Sequence, residues 1–330
     1  MRITQEAFGV TKEGGMRMEK TYAFGVDLGG TTVKIGLFTG DGILDEKWEI
    51  PTRTENRSHH LLSDIAESML GRLNERKIPL RTVKGVGLGV PGAVIDEHFV
   101  EPCVNLNQWG GEVAERLSAL CGLPVKVVND ANAAALGEMS QGGGKGHKNI
   151  VFVTLGTGVG GGVIVNGKLI AGVHGAGGEI GHIKVAEPNE MICGCGKSGC
   201  LEQYASATGI VKQAERKLAQ SDKPTKLTKY RTLTCKDIFQ CAKQGDEIAL
   251  ELVDLMTQML GKALAEVSSV CDPDIFVIGG GVSRAGEIIL TGVRKHFIEY
   301  AFPAAASAQF ALAELGNDAG MYGAVQLVLD

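Results

Sequence analysis

Two periods alternate along this chain. Short apolar runs of strand length stand between longer stretches in which apolar residues recur every three to four positions. The run from Thr21 to Gly40 reads as strand, tight turn, strand, and Gly42 to Pro51 adds a further strand with turns. Between Ser58 and Lys77, the residues Leu61, Leu62, Ile65, Met69, Leu70 and Leu73 fall on one helical face. Val83 to Val90 is a short apolar strand that ends in the turn Pro91-Gly92, and a polar loop from Asn105 to Trp109 leads to a helix from Gly111 to Cys121. Pro124 to Val128 is a strand that runs directly into Asn129-Asp130-Ala131-Asn132 and an alanine-rich helix through Gly137. After the glycine-rich hinge or loop from Gly142 to Asn149, Ile150 to Val165 is again strand, tight turn, strand. Helices are expected over Ser206 to Ala219, Cys235 to Lys243, Asp246 to Val270 and Gly286 to Tyr300, with a buried strand from Ile275 to Ile278. A final helix ends at Leu329 and is expected to pack back on the first half of the chain. Strands alternating with helices in this way predict an α/β protein.

The two strand–turn–strand units resemble each other. The first turn is Asp27-Leu28-Gly29-Gly30-Thr31-Thr32, and the second runs from Gly156 through Thr157 and Gly158 to Gly162. Similar units about 130 residues apart signal a repeated structural unit. They predict two similar domains facing each other across a cleft, with the phosphates of a nucleotide between the turns. The expected division is an N-terminal appendage at 1–20, a smaller domain at 21–138 joined by the C-terminal helix 317–330, and a larger domain at 139–316. The appendage has no clear period, and Met16 and Met18 offer alternative starts.

Composition narrows the function classes. A chain of 330 residues with 44% hydrophobic and 22% charged residues can bury a substantial core. A net charge of −5 offers no sequence-independent grip on nucleic acid. No apolar window is long enough for a membrane span, and the N-terminus lacks a charged-then-apolar signal, so a cytoplasmic location is expected.

Candidate chemistry concentrates between Gly175 and Glu202. His182, Cys193, Cys195 and Cys200 form a set of four ligands that suits tetrahedral zinc with no position left for water. The other five cysteines, Cys103, Cys121, Cys235, Cys241 and Cys271, are scattered and read as small buried hydrophobes. Glu179 and Glu202 bracket the metal loop, and carboxylates held still in this way accept hydrogen bonds from sugar hydroxyls. In the first turn, Gly29 and Gly30 let backbone N–H groups approach an anion, Thr31 and Thr32 add hydroxyls, and Lys34 adds positive charge. Asp27 is a candidate for Mg²⁺ through water. Asp130, at a strand end that opens a helix, is either a helix cap or a general base, and spacing alone favours the cap. Gly279-Gly280-Gly281, at the end of a buried strand, permits close approach of a flat ring or ribose.

These motifs resemble the bacterial repressor/ORF/kinase (ROK) family of sugar kinases, and most closely its glucokinases. The resemblance rests on Asp27 to Thr31, Asn129 to Asn132, Leu155 to Gly158, Gly178 to His182, the Cys193/Cys195/Cys200 cluster with Glu202, and Gly279 to Gly281; the run from Leu201 to Gly209 points to the glucokinases. It implies an actin-like, hexokinase-type (ribonuclease H-like) pair of α/β domains flanking a central cleft. It also implies ATP-dependent phosphorylation of the glucose 6-hydroxyl, with ATP, Mg²⁺ and a structural Zn²⁺. Asp130 would be the base, and Asn129, Glu179, His182 and Glu202 would hold the sugar, with Gly92 and Asn105 as further candidates. His182 would put one ring nitrogen on zinc and the other toward the sugar. The two turns would take the phosphates and Gly279 to Gly281 the nucleoside. A homodimer or higher homo-oligomer is the family expectation. N-acetylmannosamine, N-acetylglucosamine or fructose are alternative substrates, and polyphosphate is an alternative donor. A sugar-responsive repressor is disfavoured, since about 20 residues before the first strand are too few for a three-helix DNA-binding module. A zinc-stabilised sugar-binding protein without catalysis is the third reading, with Asp130 against it.

Overall fold

The computed structural model describes residues 20–53, 60–103, 106–188 and 190–329. Residues 1–19 of the expected appendage, and the candidate sugar ligand Asn105, lie outside the described residues.

The first half begins with the hairpin-linked strands β1 (Tyr22–Leu28), β2 (Thr32–Thr39) and β3 (Leu44–Pro51), followed by helix α1 (Leu61–Glu75) and strand β4 (Val83–Val90). Strands β5 (Val94–Ile95), β6 (Phe99–Cys103) and β7 (Trp109–Glu112) then form a small antiparallel sheet, where the sequence had suggested only a turn and a polar loop. Helix α2 (Val113–Cys121), strand β8 (Val125–Asn129) and helix α3 (Asp130–Gln141) complete this half. The second half opens with β9 (Ile150–Leu155), β10 (Val159–Val165) and β11 (Lys168–Leu169). Helices α4 (Glu202–Ala205), α5 (Ala207–Ala219), α6 (Cys235–Lys243) and α7 (Glu247–Cys271) follow, then β12 (Ile275–Gly279), α8 (Glu287–Tyr300), β13 (Gln309–Leu312) and α9 (Ala319–Leu329).

The repeat read from the sequence is a repeat of topology. One five-stranded sheet has the order β3-β2-β1-β4-β8 and the other β11-β10-β9-β12-β13. In each, the first three strands are antiparallel and the last two run parallel to the first. Burial follows from position. Central β1 is covered on both faces and reads as a nearly continuous apolar run, whereas edge strand β3 alternates half-buried with exposed residues.

Each sheet has its own core. In the first, Phe24, Val26, Ile35 and Leu88 pack with Leu62, Ile65 and Met69 of α1, and Leu70 is only half-buried. In the second, the 25-residue α7 is capped by Asp246, whose carboxylate accepts from Ala249 N. It buries Leu252, Met256, Leu260 and Leu264 against Val293 and Phe297 of α8. Two helices join the halves. α9 lies on the first sheet through Met321 and Val325, as the sequence had suggested, and it crosses α3 at backbone contact. A Cβ on Gly323 would sit 1.6 Å from the carbonyl oxygen of Ala133, so no larger residue fits at that crossing. The elements that carry Asp130 and close the chain therefore form one tightly packed helix pair between the sheets.

Candidate active site

Helix α3 starts where β8 ends, at the edge where parallel strands of open α/β sheets collect ligands. Its cap is Asn129, not Asp130. The Asn129 side-chain oxygen accepts from Ala131 N at 3.0 Å and Asn132 N at 3.1 Å, and its Nδ2 donates to the carbonyl of Gly92 at 3.0 Å. Such a cap is worth about 1 kcal/mol. The cap favoured for Asp130 from spacing is thereby corrected: the preceding residue does that work, and Asp130 begins the first helical turn with its carboxylate open to the cleft. Its Oδ1 accepts from Ala131 N at 2.8 Å and from Asn129 Nδ2 at 3.1 Å. Desolvation by the surrounding cleft walls pushes the Asp130 carboxyl up to about 6, and the negative charges of Asp27 and Glu179 push in the same direction. Solvent still reaches the group, so it can exchange a proton freely.

A cavity of about 540 Å³ gathers ten of the residues singled out above. Asp27, Lys34, Gly92, Asn129, Asp130, Gly156, Gly158, Glu179, His182 and Glu202 all line it. Lys34 Nζ lies 3.7 Å from Asp27 Oδ2 and donates to the carbonyl of Asn317 at 2.6 Å, which ties β2 to the residues just before α9. Desolvation raises the Asp27 pKa, and Lys34 opposes the shift. Gly29, Gly30, Thr31 and Thr32 are not among the lining residues. Their turn is closed by the Gly29 N–H on the Thr32 carbonyl at 3.0 Å, and Gly30 and Thr31 are exposed at the rim.

The metal loop sits against this cavity. Cys193 Sγ lies 3.5 Å from His182 Nδ1, and Cys195 Sγ lies 3.7 Å from Cys200 Sγ. The four ligand atoms lie within 4.8 Å of one another. Bonds of ~2.3 Å to sulfur and ~2.0 Å to nitrogen at tetrahedral corners give S–S near ~3.8 Å and S–N near ~3.5 Å, so the residues fit zinc. Backbone bonds also shape the loop: Cys193 N donates to Lys197 O at 2.7 Å and Gly196 N to Cys193 O at 2.9 Å. The other ring nitrogen of His182, Nε2, points to Glu179 at 3.9 Å. Of the remaining cysteines, Cys103, Cys121 and Cys241 are buried as expected, whereas Cys235 and Cys271 are half-buried.

Glu202 does more than its spacing suggested. One carboxylate oxygen accepts from Val159 N at 3.1 Å, and the other lies 3.5 Å from Cys193 Sγ. The acid thus joins the metal loop to the second glycine turn. A Cβ on Gly158 would sit 2.4 Å from Glu202 Oε2, so this contact requires glycine there.

A larger cavity of about 920 Å³ adjoins the second turn. Gly156 lines both cavities. Thr157 and Gly281 line the larger one, while Gly279 is buried at the end of β12 and Gly280 turns over the backbone of Leu155. Its remaining walls include Phe239, Gln240 and Lys243 of α6 and the following Gln244, with Val282 and Arg284. None of these was singled out in the sequence, where α6 reads as an ordinary amphipathic helix. Thr154, Gly316, Asn317 and Gly320 of the smaller cavity were missed as well, whereas Gly160 and Gly161 belong to the second turn expected at the phosphates.

Duplicated α/β units of this topology, facing a cleft that holds an acid-lined pocket beside glycine turns, define an actin-like, hexokinase-type fold. The chain belongs to the ROK family, whose model matches residues 23–330. It is 42% identical over 316 residues to a glucokinase of Halalkalibacterium halodurans, covering 94% of this chain and 96% of the relative. It is 37% identical over 317 residues to a glucokinase of Thermotoga maritima, covering 94% and 98%. Among solved structures, a ROK-family glucokinase from Streptomyces griseus, in complex with glucose and AMPPNP, matches with a TM-score of 0.72 at 33% identity, covering 93% of this chain and 99% of that one. Among the described residues, no helix is long and apolar enough to cross a membrane.

Proposed function

We propose that this ROK-family chain is an ATP-dependent glucokinase that converts D-glucose and ATP to glucose 6-phosphate and ADP. The observation that carries the reading is that Gly156 lines both cavities, so a polar pocket holding Asp130 opens beside a larger pocket with apolar walls. The first suits a polyhydroxylated acceptor. The second, with Phe239 and Val282, suits the flat base and ribose of a nucleotide better than a polyphosphate chain.

In this reading Asn129, Glu179, His182 and Glu202 hold the sugar hydroxyls, with Gly92, and Asn105 remains a candidate from the sequence. Asp130 accepts the proton of the 6-hydroxyl as that oxygen attacks the terminal phosphorus. The bond from phosphorus to the bridging oxygen breaks, and ADP leaves with the electron pair. The Gly156-Thr157-Gly158 turn, with the turn of Gly29, Gly30, Thr31 and Thr32 and with Lys34 across the cleft, would supply hydroxyl, ammonium and N–H donors to the phosphates, the N–H groups of Gly29 and Gly156 being taken within their own turns. Phosphoryl transfer needs mainly such positioning and charge neutralisation. Asp27 would hold the hydration shell of Mg²⁺, which would supply further neutralisation. The zinc ligands His182, Cys193, Cys195 and Cys200 shape the sugar side and take no part in the transfer. The same reading divides the chain into a domain of residues 21–138 with 317–330 and a domain of residues 139–316. Three neighbouring thiols and the need for ATP suit the reducing cytoplasm. The chain is proposed to act as a homo-oligomer.

The reading is tested by ADP release with Mg-ATP over glucose, mannose, fructose, N-acetylglucosamine and N-acetylmannosamine. Glucose is expected to give the highest kcat/KM. Preference for an N-acetyl sugar would overturn the substrate, and no turnover with zinc-replete protein would overturn the enzyme.

The pH profile gives a second test. A base works only when deprotonated, so kcat/KM should hold above the Asp130 pKa of about 6 and fall as the pH drops through it. The limiting slope should be about tenfold per pH unit. A rate that stays flat well into the acid range would remove Asp130 from the role.

A further inference from the structure

Both passages of the chain between the two sheets meet at one buried carboxylate. The chain leaves the first sheet through α3 and reaches β9 by residues 142–149; it returns from β13 to α9 by residues 313–318. Glu138, near the end of α3, is fully buried. Its Oε2 accepts from Gly143 N at 2.8 Å and from Glu314 N at 3.0 Å, and its Oε1 accepts from Leu315 N at 2.9 Å. One side chain thus takes three backbone N–H groups, one from the outgoing passage and two from the returning one.

A buried carboxylate is costly unless its lone pairs are filled, and N–H donors to an ionised acceptor make strong bonds. The arrangement is also sterically closed. A Cβ on Gly142 would sit 1.9 Å from Glu138 Oε2, and one on Gly143 would sit 2.4 Å from the carbonyl oxygen of Leu312. The glycine-rich segment that reads as a hinge or loop in the sequence is therefore held at its start and against its counterpart. Asp130 begins the same helix eight residues earlier, about 12 Å along its axis.

We propose that Glu138 is a positioning residue that fixes the pivot between the two halves. It holds both passages to the helix whose other end carries Asp130. When ligands bind, the second sheet, with the Gly156–Gly158 turn, then approaches Asp130 along one path. This rests on the phosphotransfer reading above, since in-line transfer is what such a pivot serves. Loosening the pivot leaves each half intact but lets the phosphate turn settle at variable distances from the base.

The test is Glu138→Gln, which keeps the shape but replaces one acceptor oxygen with an NH₂ that opposes a backbone N–H. Glucose affinity by calorimetry should match the wild type, while kcat falls on the order of tenfold or more, as expected for misplaced reacting groups. The acid limb of the pH profile should not move, because Asp130 is untouched. Small-angle scattering should show the wild type contracting with glucose plus a non-hydrolysable ATP analogue, and the variant contracting less. A folded variant with wild-type kcat overturns the proposal, and so does a shifted acid limb, which would place the effect at Asp130 itself. If Glu138→Gln does not fold, Leu315→Pro decides. Leu315 has φ −79°, which proline adopts, and the change deletes one donor while leaving the charge. It must show the same selective loss of kcat, and an unchanged kcat overturns the pivot. Wild-type protein that turns over no hexose defeats the glucokinase reading separately, while the scattering comparison still reports on the pivot.

Discussion

Asp130→Asn is expected to keep the sugar and to lower kcat by about 10²–10⁴, the range for loss of a positioned base. At about 1.4 kcal/mol per factor of ten, that removes roughly 3–5.5 kcal/mol of transition-state stabilisation. The substitution is conservative in shape. An asparagine oxygen can still accept from Ala131 N, as Asp130 Oδ1 does at 2.8 Å. The helix keeps its cap, because the capping oxygen belongs to Asn129. What disappears is the ability to take a proton. One negative charge also leaves a pocket in which Asp27 and Glu179 already press on it, so glucose affinity should stay the same or tighten. The acid limb of the pH profile near 6 should vanish from the residual rate. Calorimetry with glucose and a single-turnover assay with ATP separate the two effects. If affinity collapses together with kcat, Asp130 is a binding group, and the base must be sought elsewhere.

The elements were legible in the sequence because each burial pattern is local. The face containing Leu61, Ile65 and Met69 reads as a helix, and the apolar run of β1 as a central strand. The duplicated topology was legible for the same reason: both turns stand in the same strand–turn–strand setting. The cluster of His182, Cys193, Cys195 and Cys200, with Glu179 beside it, could be found because its chemistry is bunched within a short stretch. Other features depend on what folding brings together. The small sheet β5–β7 is built from very short strands in a stretch whose polar residues read as a loop. The larger cavity is lined by α6, and nothing in an amphipathic period reveals which ligand its polar face meets. Spacing favours Asp130 as the cap and does not reveal that Asn129 takes that role, because either residue type caps a helix. The role of Glu138 was hidden for a further reason. Its three partners are backbone N–H groups, which carry no residue signature, and two of them are 176 and 177 residues away.

Cys195→Ser tests whether a metal holds the sugar side together. Among the zinc ligands this is the informative one to change, because Cys195 is exposed while Cys193 and Cys200 are buried. Serine at 195 therefore costs little packing and reports on the metal. Three ligands remain, and the hydroxyl is a poor substitute for a thiolate, so bound zinc should fall well below one per chain. The consequence should reach the pocket by two routes. Without a metal, His182 would keep only Cys193 beside its Nδ1 and would be free to turn its Nε2 away from Glu179 and the cavity. Glu202, which lies beside Cys193 and accepts from Val159 N, loses the rigid wall behind it. Each hydrogen bond to a sugar hydroxyl is worth about 1 kcal/mol, and more where the acceptor is charged. Loosening both residues should therefore raise the glucose KM by roughly 10–100-fold, a range also seen when groups supporting a metal site are removed. The KM for ATP should change less, because the larger cavity meets the metal loop only through the second turn, its other walls lying on α6 and at Gly281 to Ala285. Zinc content by atomic emission and the two KM values decide the matter. Full zinc occupancy with an unchanged glucose KM would show that the His182–Cys200 cluster does not shape the sugar pocket. Zinc loss with both KM values unchanged would make the metal a stabiliser of the loop alone.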